Sequence, residues 1–86
     1  MDSQETHPIY SFSKNQDEEV RIQVRKYKGR YYIDLRIWFQ GQEKNVYRPT
    51  KKGVIFSVDQ FPELKRGVER LEKASAKFQA RQSIEV

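Results

Sequence analysis

Basic and aromatic side chains are concentrated together in the middle of this 86-residue sequence. Between residues 20 and 58, ten Lys and Arg side chains stand against only two carboxylates, Asp34 and Glu43, which gives this segment a net charge of +8. The same segment holds seven of the chain's eleven Phe, Tyr and Trp side chains. Cations attract phosphates and flat rings stack on bases, so this mixture favours single-stranded nucleic acid as the ligand.

Catalytic and metal chemistry find little support in the sequence. His7 is the single histidine, there is no cysteine, and Asp34 stands among arginines that would keep its carboxylate ionised. The sequence contains no paired carboxylates, catalytic triad, zinc-ligand spacing or glycine-rich phosphate loop. We therefore predict a non-enzymatic protein with no cofactor, no metal and no small-molecule substrate.

The length allows one small domain with a marginal core of its own. Without cysteine there is no disulfide to stabilise it, so association of two chains is the expected means of stabilisation. Neither a membrane-spanning apolar run nor a signal-peptide pattern is present, which predicts an intracellular protein with no membrane partner. We expect a disordered tail over 1–8, one domain over 9–78 and a C-terminal tail over 79–86.

The strongest pattern is an alternation of apolar and polar residues over 20–39, broken at Lys28-Gly29. It predicts an antiparallel hairpin, with Lys28-Gly29 as a two-residue turn and Tyr27 opposite Arg30. One face would pair Val24 with Ile33, Ile22 with Leu35 and Val20 with Ile37; the other would pair Arg25 with Tyr32, Gln23 with Asp34 and Arg21 with Arg36.

The remaining pattern completes a ββββα order, an α+β fold with a four-stranded antiparallel sheet and one C-terminal helix. A first strand is predicted over 9–14, a return strand starting at 46–47, a loop over 48–53 and a short strand over 54–56. Ser57 and Gln60 fit a capping box. The helix would begin either directly after that cap, with Pro62 as its fifth residue, or at Pro62 itself after a preliminary turn. An apolar stripe at helical spacing comprises Phe61, Leu64, Val68, Leu71 and Phe78. The predicted dimer interface consists of its first four residues, Phe61, Leu64, Val68 and Leu71.

The polar face of the hairpin carries features that a merely solvated surface does not require. Arg21 opposite Arg36 is a like-charge pair, which costs stability unless an anion lies between them or Asp34 compensates diagonally. The same face offers the rings of Tyr27, Tyr32 and Trp38. A strand of phosphates and bases would satisfy both features.

Three blocks of sequence resemble the positive cofactor four family of transcriptional coactivators. They are VRKYKGR at 24–30, IDLR at 33–36 and KKG at 51–53, all ahead of a single C-terminal helix. The resemblance implies a homodimer of curved four-stranded sheets, paired through the helices, with a groove for two antiparallel single strands. It makes Tyr27 a base-stacking ring and places Phe39 where the family has its second stacking aromatic. The backbone contacts that it implies are Arg25, Lys28, Arg30, Arg36, Lys51 and Lys52.

This sequence departs from the family pattern at several points. Glu18 and Val20 stand where the family often has basic residues, and the loop after Phe39 is different in sequence. Strict alternation puts Trp38, not Phe39, on the basic face, so both remain candidates for the second stacking ring. The long acidic and serine-rich N-terminal region of animal members is absent, which favours a compact bacterial-type member in the cytoplasm or nucleoid, or a nuclear location if the source is eukaryotic.

The sequence therefore predicts largely sequence-independent binding of single-stranded DNA by a homodimer, as a transcription cofactor or in DNA metabolism, with the transcription machinery as a further partner. Two alternatives stay open. The polymer could be single-stranded RNA, because stacking surfaces tolerate either sugar. The basic face could instead dock an acidic protein segment, as in an interaction adaptor.

Overall fold

The computed structural model describes residues 5–84, and the side chains of residues 5–82. Its four strands form one antiparallel sheet in the order β1-β2-β3-β4, which confirms the ββββα prediction. Within residues 5–84, no helix combines the length and apolarity needed to cross a membrane. The elements are β1 (Glu5–Ser13), β2 (Glu18–Tyr27), β3 (Arg30–Gln40), β4 (Tyr47–Ser57), a 3-10 turn (Val58–Gln60) and α1 (Phe61–Ile84).

The β2–β3 hairpin has the register that the alternation predicts, from Tyr27 opposite Arg30 to Val20 opposite Ile37. Its two-residue turn places Lys28 at φ 50° and Gly29 at φ 78°. Positive φ at both central positions is the geometry whose twist matches that of paired strands, and glycine adopts it without strain. The turn therefore fixes which face of the sheet carries the basic side chains.

The sheet and the helix both extend beyond the predicted domain boundaries. β1 begins at Glu5, so residues 5–8 belong to the sheet and not to the expected tail, while residues 1–4 lie outside the described residues. Pro8 is accommodated because β1 is an edge strand, and its pairing with β2 shifts between Pro8 and Tyr10. At the other end α1 continues to Ile84, past the expected boundary at residue 78.

The predicted loop over 48–53 is wrong, because these residues belong to β4. Residues 50–52 bulge opposite Ile37, between the pairs Arg36–Gly53 and Trp38–Pro49. The Thr50 hydroxyl donates to the Ile37 carbonyl at 2.8 Å, and Arg36 Nη1 donates to the Thr50 carbonyl at 2.8 Å. These two bonds satisfy backbone groups that the bulge takes out of the regular ladder.

The helix starts through a preliminary turn, which is the second of the two predicted arrangements. Ser57 caps the 3-10 turn with its hydroxyl, which accepts from the Asp59 backbone N–H at 3.1 Å in place of the Gln60 N–H of a capping box. The α-helix proper begins at Phe61, so Pro62 stands in its first turn, where no helical hydrogen bond is lost.

Little apolar surface is buried within one chain. Among residues 5–82, Ile33 at 8% exposure is the one buried hydrophobic side chain. The sheet is a single layer, and α1 packs on the 3-10 turn that precedes it. Tyr10 and Phe12 on β1, Val54 on β4 and most of the apolar stripe of α1 remain exposed.

Gly53 allows β3 and β4 to approach closely, and we expect its substitution by alanine to destabilise the sheet. A Cβ at this position would lie 2.6 Å from the carbonyl oxygen of Leu35 and 3.0 Å from the Cα of Arg36. Backbone atoms cannot yield cheaply, so Gly53→Ala should lower the free energy of unfolding by about 1–3 kcal/mol. Chemical denaturation measures this change directly.

Gly67→Ala is the matched control, because it makes the same chemical change on α1. Apart from the backbone of its own helix and its chain neighbours, no heavy atom lies within 4 Å of a Cβ at Gly67. Replacing a helical glycine by alanine should raise stability by about 0.5–1 kcal/mol. Equal effects of the two substitutions would contradict the close approach at Gly53.

Candidate nucleic-acid interface

Alternate residues of β2 and β3 form one polar face of the sheet, which we call the groove face. An open depression of about 490 Å³ lies on it, extending from β1 across to the bulge of β4. Strand alternation puts these side chains on a common side, and the bulge supplies the far wall. Its lining residues are Thr6, Gln23, Arg25, Asp34, Arg36, Trp38, Pro49, Thr50 and Lys51.

A buried carboxylate forms the floor of the groove face. Asp34 is 2% exposed and is paired with two arginines, Arg25 Nη1 at 3.2 Å and Arg36 Nε at 3.1 Å. Arg36 also donates to the Thr50 carbonyl, and its side chain is only 16% exposed. Arg36 therefore joins the floor to the β4 bulge, whereas Arg25, at 34% exposure, keeps access to solvent.

The like-charge pair Arg21–Arg36 is present in the register but is compensated within the chain. Glu19 Oε1 accepts from Arg21 Nε at 3.0 Å. Asp34, two residues before Arg36 on the same face of β3, neutralises Arg36. The sequence argument anticipated the contribution of Asp34 and missed that of Glu19. The missed signal was the i,i+2 spacing of Glu19 and Arg21, which places two strand residues on the same face.

Tyr27 lies at the turn end of the groove face with an open ring. It is 43% exposed and borders a second depression of about 200 Å³, together with Arg25, Tyr32 and Ile55. Lys28 Nζ lies 5.3 Å from its ring centroid. A planar apolar group could stack here beside two cations, which is the arrangement expected of a base-stacking position.

The other predicted backbone contacts fall into two groups. Lys28 lies in the exposed turn and Arg30 directly follows it, and Lys51 lines the larger depression. Lys52 is exposed but does not line that depression. Hydrogen bonds from Asn15 and then Lys14 lower the pKa of Glu18, and the charge of Lys52 adds a smaller contribution in the same direction.

The structure separates the two candidates for the second ring. Trp38 lines the groove, whereas Phe39 does not. The β2–β3 ladder stays regular up to Glu18 opposite Phe39, so β3 has no bulge that would turn Phe39 onto the groove face. The resemblance to the family favoured Phe39, and the alternation favoured Trp38; the position in the groove belongs to Trp38.

The residues predicted for a dimer interface lie along one side of α1. Phe61, Val68 and Leu71 are exposed, with Leu71 at 63%, and Leu64 is half-buried. This stripe is separate from the groove face, because its residues line neither depression.

The fold and the groove together define a class: a single-layer ββββα protein whose sheet presents arginines, lysines and aromatic rings on one face. Residues 14–67 match the family model described as Transcriptional Coactivator p15 (PC4), and since this is more than half of the sequence, the chain belongs to that family. The resemblance to the positive cofactor four family is thereby confirmed.

A relative in Arabidopsis thaliana, the RNA polymerase II transcriptional coactivator KIWI, is 36% identical over 66 residues. The aligned region covers 77% of this chain and 56% of the relative, so the chain spans little more than half of that protein's length.

Solved structures support the fold assignment. A PC4 homolog from Burkholderia pseudomallei, in its tetragonal crystal form, superposes with a TM-score of 0.71 at 22% identity, covering 79% of this chain and 98% of that one. The bacteriophage T5 homolog of PC4, described as implicated in recombination-dependent DNA replication, gives a TM-score of 0.67 at 21% identity, covering 91% of this chain and 89% of that one. At these identities the likeness shows the fold.

Proposed function

We propose that this protein binds single-stranded DNA as a homodimer, without catalysis and largely independently of sequence, as a transcription cofactor or in DNA metabolism. The observation that carries the proposal is the groove face, where accessible cations adjoin an open aromatic ring. The names of the relatives agree with this role, one as a coactivator of RNA polymerase II and the other in phage DNA replication. The transcription machinery is then a second partner.

The cations of the groove face divide into contacts and supports. Arg25 and Lys51 line the larger depression, and Lys28 and Arg30 stand at the turn, so these four side chains are the proposed phosphate contacts. Arg36 is held by Asp34 and by the Thr50 carbonyl. Its proposed part is to position the bulge that carries Lys51, in place of the direct contact that the resemblance implies.

Unpaired bases are the proposed targets of the aromatic side chains. The ring of Tyr27 can stack on a base only when that base has left the duplex, whereas phosphates are equally available in both forms. The preference for single strands is therefore assigned to stacking, and the strength of binding to charge. A duplex would retain the electrostatic attraction and lose the stacking contribution.

Tyr27→Ala should weaken binding to an oligo-dT of about 20 nucleotides by about 1–3 kcal/mol, the contribution of one stacked base. Fluorescence anisotropy at fixed salt measures the change. Tyr31→Ala is the matched control. Tyr31 is about as exposed as Tyr27, but it lies with its ladder partner Lys26 on the face of the sheet opposite the groove face. An unchanged affinity in Tyr27→Ala would assign that ring a structural role.

The same assay separates the alternative ligands. Oligo-dT and oligo-U of equal length distinguish DNA from RNA, and the proposal requires tighter binding of oligo-dT. If neither polymer binds at low salt, the groove face is better explained as a docking surface for an acidic protein segment.

Two copies of the chain are proposed because one chain leaves its apolar surfaces uncovered. The stripe of α1 is exposed over most of its length, and only Ile33 is a buried hydrophobic residue among residues 5–82. Burial of each Leu, Val or Phe side chain contributes about 1.5–3 kcal/mol. Pairing of the helices of two copies would supply the core that the single-layer sheet lacks.

A further inference from the structure

The guanidinium of Arg21 is held in a fixed position at the Trp38 end of the groove face. Its Cζ lies 4.2 Å from the ring centroid of Trp38 and 5.3 Å from that of Tyr47. Its Nε donates to Glu19 Oε1 at 3.0 Å. All four side chains are half-buried, and we refer to Glu19, Arg21, Trp38 and Tyr47 as the Arg21 cage.

The cage leaves one part of the guanidinium available to a ligand. Glu19 occupies Nε, and the two rings lie against the planar group. Among the described residues, neither Nη1 nor Nη2 of Arg21 has a hydrogen-bond acceptor. A planar fork of N–H donors, fixed before binding, is suited to an acceptor that offers two atoms side by side.

A neutral acceptor suits this site better than a phosphate. Glu19 already neutralises Arg21, so a second anion would gain little attraction and would be repelled by the carboxylate. Guanine presents two adjacent acceptors, O6 and N7, to a bidentate arginine, whereas adenine presents one acceptor and one donor there. Unpaired cytosine also presents two, O2 and N3, but as a pyrimidine it has less ring surface. The neighbouring indole and phenol rings provide apolar surface for the purine.

We infer that the Arg21 cage reads guanine in a bound single strand, which gives an otherwise sequence-tolerant groove a preference at one position. This inference rests on the proposed binding of single-stranded DNA and deepens it. It also changes the role of Trp38. The indole orients Arg21, and the guanidinium is the group that a base meets at this end of the groove.

The test compares three oligonucleotides of about 20 nucleotides. The first is oligo-dT, the second carries isolated guanines in the same thymine background, and the third carries 7-deazaguanine at those positions, which lacks N7. The native protein should bind the guanine oligonucleotide on the order of fivefold more tightly than the other two, the lower end of the range for a bidentate contact.

Arg21→Lys keeps the positive charge and removes the fork, so it should bind oligo-dT within about twofold of the native protein and lose the preference for guanine. Lys51→Ala is the matched comparison: it removes a groove cation outside the cage, and should weaken all three oligonucleotides equally.

Each outcome of this experiment decides a separate claim. Equal affinity of the native protein for all three oligonucleotides overturns guanine reading and leaves single-strand binding intact. A guanine preference that survives in Arg21→Lys, or that 7-deazaguanine retains, overturns the assignment to the Arg21 fork. Failure to bind any of the three contradicts the proposed function itself, and the guanine inference with it.

Discussion

Leu71→Asp should convert the proposed dimer into monomers. Leu71 stands in the middle of the apolar stripe of α1 and is 63% exposed in one chain, so a partner helix would cover it. A carboxylate there removes the apolar contact and would be desolvated on association. At about 2 kcal/mol per copy and two copies per dimer, the dissociation constant should rise roughly a thousandfold. Light scattering should show a mass falling from twice 10.3 kDa to 10.3 kDa.

Ala76→Asp controls for the added charge in this experiment. It introduces the same carboxylate on the same exposed helix but away from the stripe. The mass should then remain that of the dimer. A native chain that is monomeric at micromolar concentration, or a Leu71→Asp variant that still dimerises, would contradict the helix interface.

Asp34→Ala is expected to lower the free energy of unfolding by about 2–3 kcal/mol. The carboxylate is 2% exposed and accepts from both Arg25 and Arg36. Its removal takes away the carboxylate that both guanidinium groups share, and leaves Arg36 with the Thr50 carbonyl on the floor of the groove. The estimate lies below that for a fully buried ion pair, because Arg25 keeps access to water that can solvate it.

Asp17→Ala is the matched control for Asp34→Ala, since it changes the net charge equally at an exposed position. Its effect should stay within about 0.5 kcal/mol. Both variants should be unfolded by denaturant at one protein concentration, because association contributes to stability. If Asp34→Ala lowers the free energy of unfolding no more than Asp17→Ala does, the floor carboxylate is not needed to hold the arginines.

Local pattern was sufficient to predict the β2–β3 hairpin. The apolar alternation allows one register, and Lys28-Gly29 supplies a turn whose length fixes it, so all the predicted pairs are found. The choice of Trp38 over Phe39 for the groove face follows from the same period. The ββββα order was also accessible, because each element carries its own periodicity or cap.

The β4 bulge was not accessible from local sequence. Pro49 and the polar run around it are typical of a loop, and the bulge exists because Thr50 bonds to Ile37 and Arg36, residues more than ten positions away. The start of β1 was missed for a related reason. Glu5 and Pro8 have weak strand preference, and they belong to the strand because they pair with Lys26 and Gln23 of β2.

The most direct test of single-strand binding is the salt dependence of affinity for an oligo-dT of about 20 nucleotides, measured beside a duplex of the same length. With roughly four phosphates neutralised, one by each proposed contact, log affinity should fall against log salt with a slope of about −2.8, and the single strand should bind more tightly than the duplex at every salt concentration. A slope near zero, or a duplex bound as tightly as the single strand, would contradict the account.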